Sequence, residues 1–210
     1  MTQIKICGLS TPVTLDAAIG AGATHVGFVF FAASPRNLDP ARAAALSARV
    51  PRQIVKVGVF VDPDNALLDL VAPGLDALQL HGSETADRIG AIKARYAKAV
   101  WRAAGVATAA DIRAADAAAG PADLLLLDAK APSGASLPGG NGLRFDWRVL
   151  MTARPARAWG LSGGLDADNV CDAIRSAAPA LVDVSSGVED APGVKSAERI
   201  RAFIQAVRAA

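Results

Sequence analysis

Short apolar, β-rich runs alternate with longer alanine-rich segments along the whole chain. The apolar runs predict eight strands, at residues 3–7, 25–30, 54–60, 76–80, 98–102, 123–127, 156–161 and 181–185. The remaining segments predict helices near residues 12–22, 40–49, 64–72, 84–95, 108–119, 146–153, 166–177 and 196–208. Asp39-Pro40 and Asp166 are among the predicted helix starts, because a carboxylate there caps free backbone N–H groups. Most strand starts are 22–33 residues apart, which is typical of βα units with short loops.

Eight βα units in a chain of 210 residues are compatible with two α/β architectures. An open, doubly wound sheet is one, but no GxGxxG motif follows the first predicted strand. A closed barrel uses all eight strands and leaves no sheet edge. We therefore predict a single-domain (β/α)8 barrel, a TIM barrel, over residues 1–210. A solenoid is not favoured, because no repeated sequence is apparent.

Composition excludes several classes of protein. The 22 basic and 20 acidic residues are scattered and give a formal charge of +2, so neither nucleic acid nor membrane is a predicted partner. No apolar run approaches the ~20 residues of a membrane span, and the N-terminus lacks the plan of a signal peptide. The two cysteines, Cys7 and Cys171, argue against a disulfide framework or structural zinc. The composition therefore predicts a cytoplasmic globular protein.

A barrel places the carboxyl ends of its strands at one mouth, where active sites of this fold lie. Cys7 ends the first strand and is a candidate general base if its thiol ionises. Lys5, on the same strand face, is a source of positive charge for it, or else an ion-pair partner for Asp183 across the closing seam. Most buried cysteines, however, are inert apolar fillers.

Two further polar residues end apolar strands at the same mouth. Asp128 follows Leu124–Leu127, a run so apolar that the carboxyl is expected to be desolvated, with a raised pKa that suits a general acid. The alternative is a solvated loop carboxylate that caps a turn. His81 shares a strand face with Gln79, and hydrogen bonding to a substrate is as plausible for it as proton transfer. His25 begins its strand at the opposite end and is expected to be structural.

Two neighbouring loops have the composition of anion sites. Gly163 and Gly164 follow the seventh strand, and Ser185 and Ser186 follow the eighth. Glycines expose backbone N–H groups and serine hydroxyls add donors, although all four are also ordinary turn residues. Because barrels of this type often bind phosphate after strands seven and eight, the pair of loops predicts a phosphorylated ligand.

Two other loops complete the predicted mouth. Arg36 lies in Ser34-Pro35-Arg36-Asn37, a loop whose polarity argues against packing. Such an arginine is usually solvated, but opposite a phosphate site it suits a substrate carboxylate, which it would bind with two parallel hydrogen bonds. The segment from Ala129 to Arg144 is rich in Gly, Pro and Ser, and its length predicts a lid over the site.

Taken in order, these motifs resemble those of the phosphoribosylanthranilate isomerase family, over essentially the whole chain. The matching motifs are Lys5-Ile6-Cys7-Gly8, Gly27-Phe28-Val29-Phe30 with Ser34-Pro35-Arg36, Val57-Gly58-Val59-Phe60, Gln79-Leu80-His81-Gly82, Leu127-Asp128, Gly139-Gly140-Asn141-Gly142 with Phe145-Asp146-Trp147, Leu161-Ser162-Gly163-Gly164-Leu165 and Asp183-Val184-Ser185-Ser186-Gly187-Val188-Glu189. The resemblance implies a (β/α)8 fold and an Amadori rearrangement in tryptophan biosynthesis. In that reaction N-(5-phosphoribosyl)anthranilate becomes 1-(2-carboxyphenylamino)-1-deoxyribulose 5-phosphate.

The resemblance also implies roles for individual residues. Asp128 would be the general acid, Cys7 the general base and Arg36 the group that binds the anthranilate carboxylate. The Gly163-Gly164 and Ser185-Ser186 loops would bind the phosphate. Neither a metal nor an organic cofactor is implied, and the expected partner is a small-molecule phosphosugar.

Two positions depart from the family pattern. Asn141 stands where threonine is frequent, and Ser196 stands where an acidic residue is common. Neither change removes a proposed catalytic group. The oligomeric state is not readable from the sequence, so monomer is the default expectation and a homodimer is the alternative.

Three other functions compete with this interpretation. The histidine-pathway aminoribonucleotide isomerase performs the same type of rearrangement, but generally with two carboxylates, so Cys7 disfavours it. A ribulose-phosphate epimerase needs metal-binding His and Asp residues on several strands, which a chain with two histidines does not readily supply. A non-catalytic phosphosugar-binding barrel is the alternative from a different class. Retention of both an acid and a base at the mouth argues against it.

Overall fold

The structure is a computed structural model that describes residues 1–132, 137, 139–140 and 142–210. Its main strands are β1 (Gln3–Cys7), β2 (His25–Phe30), β3 (Val55–Phe60), β4 (Ala77–Leu80), β5 (Ala99–Val106), β6 (Leu124–Ala129), β7 (Trp159–Leu161) and β8 (Leu181–Val184). A hairpin of β9 (Glu189–Ala191) and β10 (Val194–Lys195) follows. The α-helices are α1 (Pro12–Ala21), α2 (Pro40–Ser47), α3 (Asn65–Val71), α4 (Ala86–Tyr96), α5 (Ala109–Ala118), α6 (Val170–Ala177) and α7 (Ala197–Ala209). Short 3-10 turns cover Ala72–Gly74, Trp147–Met151 and Ser186–Val188.

The eight main strands form one closed parallel barrel in chain order, with β8 paired to β1. Helices alternate with the strands and pack on the outside of the barrel, where side chains such as Leu15, Ile89 and Phe203 are fully buried. The predicted single-domain TIM barrel is therefore confirmed. None of the helices in the described part of the chain combines the length and apolarity that a membrane span requires.

Two predicted helices differ from the structure. The segment predicted at 166–177 becomes helical only at Val170, because the Asp166 carboxylate instead accepts hydrogen bonds from the backbone N–H groups of Asp168 (3.0 Å) and Asn169 (3.1 Å). These bonds hold a turn that precedes the helix. The segment predicted at 146–153 forms a 3-10 turn, Trp147–Met151, which Asp146 caps through the N–H of Arg148 at 3.0 Å.

The fifth strand is longer than its prediction, because it extends from Ala99 to Val106 instead of ending at residue 102. Its last residues, Ala103–Val106, pair with Leu126–Ala129 of β6. The alanines in this stretch have a high helix propensity, so their strand structure is imposed by the neighbouring strand and is not visible in the local sequence.

The barrel interior has an apolar lower part and a polar mouth. The lower part is filled by a compact cluster of small and aromatic side chains, namely Val57, Ala77, Trp101, Ala103, Leu126 and Leu181. Nearer the mouth, Cys7, Val29 and Val59 form a second, smaller cluster. These clusters fill the barrel interior below the mouth, as is usual for this fold.

A buried ion pair joins the first and last strands. Lys5 and Asp183 are register partners on β1 and β8, and Lys5 Nζ lies 3.0 Å from both carboxylate oxygens of Asp183. The Lys5 side chain has no solvent exposure. Gly27 on β2 makes room for it, since a Cβ added there would lie 3.2 Å from Lys5 Nζ and 3.1 Å from Cys7 Sγ.

We predict that Asp183→Asn lowers the free energy of unfolding by about 3–5 kcal/mol, because it leaves the Lys5 charge buried without a partner. The control is Asp16→Asn, which breaks the exposed pair of Asp16 with Arg49 and should cost less than about 1 kcal/mol. Urea denaturation of both variants measures the difference. A similarly small loss of stability in both variants would show that the buried pair contributes no more to the free energy of unfolding than the exposed pair does. Replacing Lys5 by Met and Asp183 by Leu together should recover part of the loss.

Candidate active site

A single cavity at the mouth of the barrel brings together every residue that the sequence analysis selected for chemistry. About 80 Å³ of it is accessible to the centre of a water molecule. Its lining includes Cys7, Arg36, His81, Asp128, Gly163, Gly164, Ser185 and Ser186. These residues come from loops or strand ends 1, 2, 4, 6, 7 and 8, so the convergence is a consequence of barrel closure.

The Cys7 thiol is buried at the end of β1. Burial raises the pKa of this thiol above its ordinary value, while the nearby charge of Lys5 acts in the opposite direction and the Asp183 carboxylate adds to the increase. Cys7 is therefore a neutral thiol in the resting pocket. Of the two arrangements predicted for Lys5, the structure has the ion pair with Asp183. Burial alone would lower the pKa of Lys5, but Asp183 outweighs burial and raises it, so Lys5 stays charged.

Asp128 lies near the end of β6 and is only 5% exposed, so the alternative of a solvated turn residue is wrong. Burial raises the pKa of its carboxyl to about 7; a hydrogen bond from the backbone N–H of Ala129 (2.7 Å) and the Lys5 charge oppose this, and Asp183 reinforces it. The predicted direction of the pKa shift is confirmed. A carboxyl with a pKa of about 7 is poised to donate a proton at neutral pH.

The imidazole of His81 is neutral. Burial, with the charges of Arg102 and Lys5, lowers the pKa of His81 to about 4. Its Nε2 lies 3.8 Å from Asp128 Oδ2, too far for a hydrogen bond, and it has no hydrogen-bond partner among the described residues. The buried Oε1 of Gln79 also lacks a partner within the described chain. Two polar atoms without a partner in the described chain therefore line the pocket, and both are able to exchange hydrogen bonds with a polar ligand.

A buried ion pair braces the loop that carries His81. The Glu84 carboxylate accepts the backbone N–H groups of Asp62 and Gly82, each at 2.9 Å, and also contacts Arg102. Arg102 in turn donates to the Gly82 carbonyl at 2.8 Å. Gly82 follows His81 directly, so these bonds fix where the imidazole enters the cavity. Sequence reasoning did not identify this brace, because its members come from three separate loops or strands.

The two predicted phosphate loops adopt the backbone that their composition suggests. Gly163 and Gly164 have φ values of +86° and +61°, which favour glycine. A Cβ on Gly163 would lie 2.9 Å from Asp128 Oδ1, so the glycine also lets this loop approach the acid. The Ser185 hydroxyl donates to the Cys7 carbonyl at 3.3 Å and accepts from Lys195, so its proton is already engaged. Ser186 opens a short 3-10 turn.

Arg36 is not in a solvated loop, because it is only 6% exposed. Its Nε and Nη2 donate to the two carboxylate oxygens of Glu189 at 2.7 and 2.8 Å, and Nη2 also donates to the Gly140 carbonyl at 3.3 Å. One edge of the guanidinium is thus occupied, and Nη1, beside Gly140, is not part of the contact with Glu189. Glu189, like its other partner Lys195, was not recognised as a site residue from the sequence.

Part of the predicted lid covers the cavity. Leu137, Gly139, Gly140 and Gly142 line it, and Gly139 approaches His81 and Asp128 so closely that a side chain there would clash with both. The other residues of the lid centre, 133–136, 138 and Asn141, lie outside the described residues. Closure of this segment over a substrate stays a prediction.

Comparison with known proteins agrees with this geometry. Residues 4–206 match the family model described as N-(5'-phosphoribosyl)anthranilate (PRA) isomerase. The chain belongs to this family. PRA isomerases are also its curated relatives: that of Paracoccus denitrificans is 52% identical over 96% of this chain and 95% of its own length. The isomerase of Paramagnetospirillum magneticum is 50% identical over 98% of this chain and 97% of its own.

Solved PRA isomerases share the fold across their full length. The Thermotoga maritima enzyme superposes with a TM-score of 0.88 at 36% identity, and the alignment covers both chains completely. A PRA isomerase in complex with reduced 1-(o-carboxyphenylamino)-1-deoxyribulose 5-phosphate superposes with a TM-score of 0.84 at 33% identity, again over both full chains. In the described part of this chain, no group of His, Cys, Asp or Glu side chains is arranged to hold a metal ion.

We predict that the free energy of unfolding of Asp128→Asn, measured relative to that of wild type at the same pH, increases as the pH rises from 4 to 8. The folded state holds the Asp128 proton up to a pKa of about 7, whereas the unfolded chain releases it near 3.8. Wild-type stability therefore falls as pH rises between these values, by about 4 kcal/mol in total, and the Asn variant escapes this loss. Urea denaturation between pH 4 and 8 measures it, with the exposed Asp168→Asn as control. A difference between Asp128→Asn and wild type that does not change with pH would contradict the raised pKa.

Proposed function

We propose that this chain catalyses the Amadori rearrangement of N-(5-phosphoribosyl)anthranilate in tryptophan biosynthesis, in the cytoplasm. Family membership and relatives that are about half identical over nearly their full lengths support the proposal. The observation that carries it is the pairing of Asp128, whose pKa is about 7, with Cys7 in one buried pocket. This reaction needs one proton donor and one proton acceptor of the enzyme, both within reach of the same bound substrate.

The substrate has an anion at each end, and the pocket offers a site for each. We assign the phosphate to the loops of Gly163-Gly164 and Ser185-Ser186, where glycine backbone N–H groups are accessible. We assign the anthranilate carboxylate to Arg36, which lines the cavity and whose Nη1 is not engaged by Glu189. Binding at both ends would place the ribose between Cys7 and Asp128, and such orientation supplies several kcal/mol of the catalytic effect. The solved relative with a reduced product analogue supports a ligand of this class.

In the first step, Asp128 donates its proton to the furanose ring oxygen. The C1–O bond breaks with its electron pair on that oxygen, and the anthranilate nitrogen lone pair forms the C1=N bond of an iminium ion. Asp128 is left as a carboxylate. Burial disfavours that charge, so it keeps Asp128 largely protonated up to neutral pH, at the cost of a smaller driving force for the donation itself.

In the second step, ionised Cys7 removes the proton from C2. The C–H electrons form the C1=C2 double bond, and the C1=N electrons return to nitrogen, which gives an enolamine. Tautomerisation of its C2 hydroxyl to a ketone, with a proton added at C1, gives the product. The substrate gains one proton from Asp128 and loses one to Cys7, and its own nitrogen is the electron sink. Proton exchange with solvent then restores the protonated Asp128 and the ionised Cys7 for the next turnover.

The two unpaired atoms at the mouth have a natural place in this scheme. A neutral His81 and the amide of Gln79 are able to exchange hydrogen bonds with ribose hydroxyls without adding charge near the acid. We therefore assign His81 and Gln79 to substrate binding. A charged imidazole in this position would favour ionised Asp128 and would reduce the fraction of this acid that is protonated at neutral pH.

Activity is tested with the purified protein and substrate generated in situ from anthranilate and phosphoribosyl pyrophosphate. We expect fluorescence-monitored conversion, and we expect Asp128→Asn and Cys7→Ser each to lower kcat by roughly 10²–10⁴-fold. Cys171→Ser is the matched control for thiol loss and should retain wild-type kcat. Both active-site variants should still bind the reduced product analogue.

The outcomes separate the competing functions. Binding of phosphosugars with no turnover by the wild-type protein would support the non-catalytic barrel. Turnover of the histidine-pathway aminoribonucleotide, with none of the anthranilate substrate, would support the other isomerase. Near-wild-type kcat in either active-site variant would remove that residue from the mechanism.

A further inference from the structure

A continuous chain of buried and partly buried hydrogen bonds links the proposed carboxylate-binding residue to the backbone of the proposed base. It runs from Arg36 to Glu189, from Glu189 to Lys195, from Lys195 to Ser185 and from Ser185 to the Cys7 carbonyl. Arg36 and Glu189 are 153 positions apart in sequence, so only the fold brings them together. Three of its five members, Arg36, Ser185 and Cys7, are at the proposed carboxylate, phosphate and base positions. Glu189 and Lys195 are the members without an assigned function.

Glu189 is saturated as an acceptor. Its Oε1 accepts from Arg36 Nε (2.7 Å) and Lys195 Nζ (2.6 Å), and its Oε2 accepts from Arg36 Nη2 (2.8 Å) and the Gly193 N–H (3.3 Å). Burial would raise the pKa of this carboxyl, but Arg36 and Lys195 outweigh burial and lower it, so Glu189 is ionised. A carboxylate with four donors is neither a free base nor a ligand for substrate. Its bidentate contact instead fixes the plane of the Arg36 guanidinium.

Lys195 likewise uses all of its hydrogen-bond donors within the protein. Its three ammonium protons are directed at Glu189 Oε1 (2.6 Å), the Ser185 carbonyl (2.9 Å) and the Ser185 hydroxyl (3.1 Å). Its side chain is 1% exposed. A lysine with these partners holds the Ser185 loop in place but has no donor left for a phosphate.

The hairpin of β9 and β10 supplies both residues and positions them against the Arg36 loop. Lys195 on β10 is the register partner of Glu189 on β9. Gly193, in the turn between them, has a φ of +80°, and a Cβ there would lie 2.6 Å from the Pro35 carbonyl oxygen. The hairpin therefore contacts the loop of Arg36 on one side and the loop of Ser185 on the other.

The net charge of this cluster favours the binding of an anion. Arg36 and Lys195 are positive and Glu189 is negative, so the cluster carries a net charge of +1 in a buried site. Glu189 occupies the Nε–Nη2 edge of the guanidinium. In the part of the chain that the structure describes, Nη1 makes no hydrogen bond and lies beside Gly140 of the lid segment.

We propose that Glu189 is a positioning residue that determines specificity for a substrate carboxylate. It presents the Nη1 side of Arg36 to the cavity, and through Lys195 it sets the distance between this side and the phosphate-binding loop of Ser185. The pocket thereby selects phosphosugars whose amine substituent carries a carboxylate at that distance. This inference rests on the proposed function.

The test is Glu189→Gln, which keeps the size of the side chain but removes its charge and places an amide beside two cations. Two probes are compared by calorimetry, reduced 1-(o-carboxyphenylamino)-1-deoxyribulose 5-phosphate and the same molecule without its carboxylate. We expect the affinity for the first to fall about tenfold or more and that for the second to change less than about threefold. KM for the substrate should rise while kcat stays within about threefold of wild type. Glu198→Gln, at an exposed position of α7, is the matched control.

A double-mutant cycle separates positioning from a general structural effect. In an Arg36→Met background, Glu189→Gln should change the affinity for the two probes equally, because the group through which Glu189 acts is gone. Equal loss of affinity for both probes, or discrimination that persists without Arg36, would overturn the proposal.

Two further measurements keep the test interpretable. If Glu189→Gln does not fold, Glu189→Asp replaces it, since the shortened carboxylate should give the same loss selective for the carboxylated probe. Failure of the proposed function itself has a different signature, because wild-type protein would then fail to turn over the anthranilate substrate and would not prefer the carboxylated probe.

Discussion

The buried ion pair between Lys5 and Asp183 is the interaction on which the rest of the pocket depends. It lies where the first strand meets the last, so it belongs both to the closure of the barrel and to the floor of the site. Its two charges act on both reacting groups. The Asp183 carboxylate helps to raise the pKa of Asp128, and the Lys5 ammonium counteracts the increase that burial causes in the pKa of Cys7. The ion pair that helps to close the barrel therefore also helps to set the pKa values of the acid and the base.

Desolvation is the common cause of the three shifted pKa values at the mouth. It raises the pKa of Asp128 and of Cys7 and lowers the pKa of His81. Near pH 7, Cys7 and His81 are therefore neutral, and about half of the Asp128 carboxyls are protonated. Asp128 and Cys7 are the groups that exchange protons with the substrate. In this arrangement the reactive form, with Asp128 protonated and Cys7 ionised, is a minor species because the acid has the lower pKa.

How far the sequence predicted the structure depends on whether the determining contacts were local. Strand periodicity and helix caps are local signals, and they predicted the barrel; the barrel in turn predicted that Cys7 and Asp128 share a mouth. Gln79 had a visible signal too, since it shares a strand face with His81. The contact of Glu189 with Arg36 left no such signal, because a hairpin after the last main strand creates it. Likewise, the pairing of β5 with β6 overrides the helix propensity of local alanines.

The pH dependence of kcat/KM tests most directly whether a neutral acid and a neutral thiol share this pocket. With the Asp128 pKa at about 7 and the Cys7 pKa above its ordinary value, log kcat/KM should rise to about pH 7 and then stay level to beyond pH 9. The second ionisation of the substrate phosphate, near pH ~6, is measured separately and subtracted. A profile that falls tenfold per pH unit between pH 7 and 9 would contradict the account, because it would mean that Cys7 ionises at a lower pH than Asp128.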